Sequence, residues 1–163
     1  AKPAHWMAPP LLRVGQGFPL TLQELCMPKN VLVQQFMSAQ PITVRHDELL
    51  ERVQDLMRKN SIRHLPVLRE AQLYGLISDR DVKMALALRG ADPKKMTAGD
   101  IASTDVYTTH PDSPLARVAS EMADKHYGSC VVTNKNEVVG ILTSVDLARA
   151  LAAVINGELF KSA

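Results

Sequence analysis

Apolar residues along this chain follow two rhythms, and the two alternate in a fixed order. Leu49, Leu50, Val53, Leu56 and Met57 recur at the three- and four-residue spacing of a helix with one buried face, and Leu115, Val118, Ala119 and Met122 repeat that spacing. Each set is followed by a run read as a buried strand, HLPVL at 64–68 or SCVVT at 129–133. A polar turn comes next, at 69–72 or 134–137, and then a second strand, LYGLIS at 73–78 or VVGILT at 138–143. Val82, Ala85 and Leu86 predict a closing helix for the first set; Leu147, Ala150, Leu151 and Val154 predict one for the second. A short strand is expected ahead of each set, at 42–44 and 106–108, with Asp47 and Asp112 placed to cap the helices that follow. The order is β-α-β-β-α, twice.

The two sets are copies in register. Ser78 and Thr143 lie 65 positions apart (143 − 78), and the same offset carries Thr43 onto Thr108, Leu50 onto Leu115, Met57 onto Met122, Gly75 onto Gly140 and Asp81 onto Asp146. One such unit is too small to cover both faces of its own sheet. The expected fold is therefore α/β (α+β), two β-α-β-β-α units packed with pseudo-twofold symmetry behind a short N-terminal arm. The expected boundaries are 1–30 for a partly ordered arm, 31–90 and 91–157 for the two units, and 158–163 for a tail, with LRGADPKK at 88–95 as the polar link. The arm is rich in proline and holds one helical turn near 20–25; Trp6 and His5 dock on a partner or order the arm against the body.

Composition narrows the function classes. With 46% apolar residues and a formal charge of +2, the chain has ordinary globular composition, and its basic residues form no stripe suited to specific nucleic-acid binding. No apolar run approaches the roughly 20 residues of a membrane span, and AKPAHWMAPP at 1–10 has no secretory apolar core. Cys26 and Cys130 stand far apart in apolar surroundings, as reduced thiols of a cytoplasmic protein would. His46, His110 and His126 fall at loops or helix ends, where solvation rather than metal binding is expected. Neither a lysine-bearing phosphate loop nor a nucleophile elbow is present, so enzymatic activity is not expected.

The candidate chemistry sits in GLISDRD at 75–81 and GILTSVD at 140–146. A hydroxyl residue followed three positions later by an acid, at the start of a helix, makes a capping box: Ser78 with Asp81, Thr143 with Asp146. The same place also suits a ligand. A helix N-terminus presents free amides to a phosphate, the hydroxyl can donate to it, and the aspartate can accept from a ribose diol. Gly75 and Gly140 would let a ligand approach the backbone closely. The two readings are compatible, because a filled site can exchange the cap for phosphate.

These tandem units, with IRHLPV at 62–67, GLISDRD and GILTSVD, resemble a pair of cystathionine-beta-synthase (CBS) domains, a Bateman module, over about residues 31–156. The resemblance implies a cleft between the units that binds an adenine nucleotide or adenosyl ligand, such as AMP, ADP, ATP, S-adenosylmethionine or cyclic di-AMP, with no cofactor required. Residues matching Ser78, Asp81, Thr143 and Asp146 would hold phosphate and ribose. Ile42, Thr43, Val106 and Thr108, with Leu65 and Pro66 or Cys130, would enclose the base. The first unit's basic residues Arg63, His64 and Arg80 are the phosphate candidates. The second unit carries Gly128, Ser129 and Val145 at those places, so its phosphate site lacks local cations unless the first unit supplies them across the cleft. Which pocket the basic residues serve stays open, and so does whether one pocket is empty or specialised. By resemblance the chain is a sensor that changes shape or partner affinity on binding, and a homodimer formed through the helices after Leu49 and Leu115, acting on an unidentified protein. The alternative is a ligand-independent dimerisation scaffold whose motif residues only cap helices.

Overall fold

The computed structural model describes residues 31–88 and 90–156. The arm, with Cys26, Trp6 and the helical turn expected near 20–25, lies outside the described residues, as does the tail at 158–163.

Both expected units are present in the expected order. The first runs β2 (Val44–Arg45), α1 (Leu50–Asn60), β3 (His64–Arg69), β4 (Gln72–Ser78) and α2 (Asp79–Leu86). The second runs β5 (Thr108–Thr109), α4 (Leu115–Asp124), β6 (Ser129–Asn134), β7 (Glu137–Thr143) and α5 (Ser144–Ile155). Between and before them lie β1 (Ser38–Ala39) and a short helix α3 (Ala98–Ile101). The sheets are β2-β3-β4 and β1-β7-β6-β5, with each leading strand parallel to the central strand and each hairpin antiparallel. The helical stripes point inward as their spacing requires. Leu50, Val53 and Met57 pack with Leu65, Val67 and Ile77 in one core; Leu115, Val118 and Met122 pack with Cys130, Val132 and Leu142 in the other. Burying each such side chain contributes about 1.5–3 kcal/mol.

Each core is completed by the segment that leads into the other unit. Val33 is fully buried in the second core, and its repeat mate Ala98 is fully buried in the first. Ahead of the first unit, β1 adds an edge strand to the second unit's sheet, Ser38 opposite Ile141 and Ala39 opposite Gly140. Ahead of the second unit, Ser103 pairs with Leu76 through two backbone bonds of 2.9 Å. The bridges Leu32–Pro114 and Leu49–Thr97 repeat the same reciprocity.

The exchange accounts for two departures from the expectations. Asp47 and Asp112 do not cap α1 and α4. The N-cap positions are Leu49 and Pro114, without side-chain bonds, because carbonyls of the exchanged segments take that role. Met96 accepts from the Leu50 amide at 2.9 Å and Val31 from the Leu115 amide at 2.8 Å. Asp47 instead receives a two-pronged bond from Arg45 at 2.9 and 2.7 Å, which holds its carboxyl down at about 2. Asp112 accepts from Gln34 at 3.1 Å.

Gly75 and Gly140 make room for protein rather than ligand. A Cβ at Gly75 would meet the Ser103 carbonyl oxygen at 2.7 Å, and one at Gly140 would strike the Met37 side chain. Pro66 stands in β3, the central strand of its sheet, where a residue without an N–H is awkward for the ladder. It is tolerated there because pairing with β2 begins only at Val67, and because Leu76 opposite it spends both backbone groups on Ser103.

Candidate functional site

Both motif hydroxyls sit at the junction of a strand with a helix, and both form the expected capping box. Ser78 donates its amide and hydroxyl to Asp81 Oδ2 at 2.8 and 2.6 Å, while the Asp81 amide donates back to Ser78 Oγ at 3.2 Å. Thr143 and Asp146 repeat the arrangement at 2.8, 2.6 and 3.4 Å. Each box fixes the first turn of its helix, and the first amide of each helix is also taken, Asp79 donating to the Arg63 carbonyl at 2.9 Å and Ser144 to the Gly128 carbonyl at 3.0 Å.

A cleft of about 390 Å³ opens beside the second box. Thr143, Ser144 and Asp146 form one wall with Arg149; Ile42, Ile62, Arg63 and His64 of the first unit form the other. Arg63 and His64 stand beside the first motif too, since the Asp79 amide donates to the Arg63 carbonyl and His64 lies opposite Ser78 in the sheet. The second unit is uncharged at Gly128 and Ser129, and the far wall of the cleft carries the exposed Arg63 guanidinium. The volume falls within the range of small-molecule sites, and the wall combines apolar faces with a few convergent polar groups.

The charges of the cleft are unevenly committed. The Arg63 side chain is exposed and makes no hydrogen bond or ion pair among the described residues, while its carbonyl accepts from the Asp79 amide at 2.9 Å. Burial pushes the His64 imidazole below its usual range, with Arg63 adding to that effect and Asp81 opposing it, so the ring is neutral at pH 7. Arg149 donates to Asp146 Oδ1 at 3.0 Å.

Pro66 also shapes this wall. In the second unit, the Val131 amide donates to the Tyr107 carbonyl at 3.0 Å. Pro66 and Ile42 are the corresponding residues, and Pro66 has no N–H to give. The Ile42 carbonyl beside the cleft therefore lacks that bond.

The other expected residues are distributed as follows. Ser78, Arg80 and Asp81 lie at the start of α2, with Arg80 exposed. Thr43 and Val106 are half-buried just ahead of β2 and β5, and Thr108 is exposed on β5. Leu65, Pro66 and Cys130 are fully buried core side chains, so only their backbone could face a ligand. Burial pushes the Cys130 thiol up to about 12, which removes it from nucleophilic chemistry. Ser129, the counterpart of His64, is buried at the start of β6. Sequence reasoning missed Arg149, although a basic residue three positions after an acid on a helix is a readable pairing. Among the described residues no group of acidic, histidine or cysteine side chains is arranged to hold a metal, and no helix is long and apolar enough to cross a membrane.

The family model for the CBS domain matches residues 33–88 and again 98–153. This chain belongs to the CBS domain family. Among solved structures, the CBS domain pair of protein MJ0100, crystallised with 5′-methylthioadenosine and S-adenosyl-L-methionine, is 31% identical, covers 76% of this chain and 98% of its own, and superposes with a TM-score of 0.69. Among curated relatives, the L-aspartate semialdehyde sulfurtransferase of Methanocaldococcus jannaschii is 34% identical over 72% of this CBS chain, which spans only 23% of that enzyme's length. The hypoxic response protein 1 of Mycobacterium tuberculosis is 28% identical over 71% of this chain and 81% of its own.

Proposed function

We propose that this CBS pair is a regulatory module that binds an adenine nucleotide or related adenosyl ligand in the cleft beside Thr143 and Asp146. One observation carries the reading: Arg63 and His64 of one unit converge with the capping box of the other on a single cleft. The ligand-bearing CBS pair of MJ0100, at 31% identity, supports the ligand class. In this reading phosphate meets Arg63 beside the start of α5, ribose meets Asp146, and the amino group of the base meets the Ile42 carbonyl. A ligand seated there touches both units and so favours one relative orientation, which a regulated partner protein reads. The module acts as a homodimer in the cytoplasm and regulates rather than catalyses.

The test is a melting-shift screen with AMP, ADP, ATP, S-adenosylmethionine and cyclic di-AMP, backed by calorimetry. A ligand at 100 times its Kd adds about 2.7 kcal/mol, and Asp146→Ala should weaken the shift. If no ligand moves the curve or gives heat, the chain is a dimerisation scaffold. The closed capping boxes, which leave both motif aspartates bonded within the protein, are the observation that favours this second reading.

A further inference from the structure

The two motif aspartates differ in what occupies their second oxygen. Both spend Oδ2 on their capping box. Asp146 also accepts from Arg149 on Oδ1 at 3.0 Å, whereas one turn after Asp81 the chain places Met84, the repeat mate of Arg149. The Asp146 side chain is 6% exposed and that of Arg149 is 73% exposed. Arg149 therefore covers a buried carboxylate from the solvent side, and it does so on the wall of the cleft that Arg63 and His64 also line.

We propose that Arg149 is a phosphate-operated latch on Asp146, and hence the residue that selects phosphorylated over unphosphorylated nucleosides. The proposal rests on the reading of the cleft as an adenosyl-ligand site. With the cleft empty, the guanidinium occupies the acceptor that a ribose diol needs. A phosphate brought in beside Arg63 offers the guanidinium a partner of matching two-pronged geometry and higher charge. The long, exposed side chain swings to it, and Oδ1 becomes free for the ribose. A nucleoside without phosphate must displace Arg149 and gives the guanidinium no partner in return. Met84 imposes no such condition at Asp81, so the selection belongs to the second motif alone.

Calorimetric titration of the full chain with adenosine, AMP and ATP tests this, using the natural sequence, Arg149→Met and Arg149→Lys. The natural chain should prefer AMP or ATP to adenosine. Arg149→Met should leave adenosine as tight or tighter and weaken the phosphorylated ligands by about tenfold or more, as loss of one charged hydrogen bond does. Arg149→Lys should restore part of that preference, and unchanged melting curves would show that the fold is intact. An equal loss for adenosine and AMP, or an unchanged ratio in Arg149→Met, overturns the latch while leaving the cleft as the binding site. Failure of the natural chain to take up any of the three removes the reading of the cleft, and the latch with it.

Discussion

Thr109 holds in the second unit the place that Val44 holds in the first, on the short strand parallel to its sheet's central strand, and it carries an unpaired hydroxyl into that place. Thr109 is 8% exposed and Val44 is 5% exposed. The Thr109 Oγ1 makes no hydrogen bond among the described residues. Thr109→Val removes a buried polar group of nearly equal size, so it should stabilise the chain by about 1 kcal/mol. A urea midpoint that stays put or falls in this variant would contradict the packing described for β5.

The two motif glycines should respond unequally to alanine. At Gly75 the new methyl would press on the Ser103 carbonyl, which is fixed by its two bonds to Leu76. At Gly140 it would press on the Met37 side chain, whose three rotatable bonds let it give way. Gly75→Ala is expected to cost about 1–3 kcal/mol, as overpacking does, and Gly140→Ala distinctly less. Denaturant titrations of the two variants decide this; equal losses would mean that the exchanged segments are not held as described.

Stability should fall as the solution is acidified through the range where histidine titrates. The unfolded imidazole of His64 titrates near 6.5, and the folded one titrates lower because burial disfavours its charged form. Between those two pH values the unfolded chain binds a proton that the folded chain does not, so protonation favours unfolding. The loss begins as pH drops through 6.5 and stops below the folded value. His64→Gln should flatten this part of the profile in melts from pH 7.5 to 5. An unchanged slope would mean that the imidazole is not buried. Phosphate beside the ring would favour its charged form, so nucleotide binding should take up a proton through His64.

The parts of the molecule legible in the sequence were those set by local pattern. The stripes Leu50-Val53-Met57 and Leu115-Val118-Met122, the two hairpins and both capping boxes could be read because each depends on residues a few positions apart. The exchanged segments could not be read that way. Their partners lie across the unit boundary, β1 is two residues long, and Ser103 makes an isolated bridge. The helix starts were misread for the same reason: Asp47 and Asp112 fit the local rule, but carbonyls of Met96 and Val31 had already satisfied the amides. In the cleft, Arg63, His64, Thr143 and Asp146 were each named from the sequence. Their convergence on one side came from the packing of the units.

Reciprocal exchange also bears on how such a molecule divides. A half-chain cut between residues 88 and 96 would carry Val33 with no second core to receive it, and would leave the place of Ala98 in its own core empty. Two copies of that half could satisfy each other by the same exchange, each filling the gap in its neighbour. A single unit of this design is thus a hook without an eye. The duplication in one chain fastens permanently a closure that separate copies could make only by meeting.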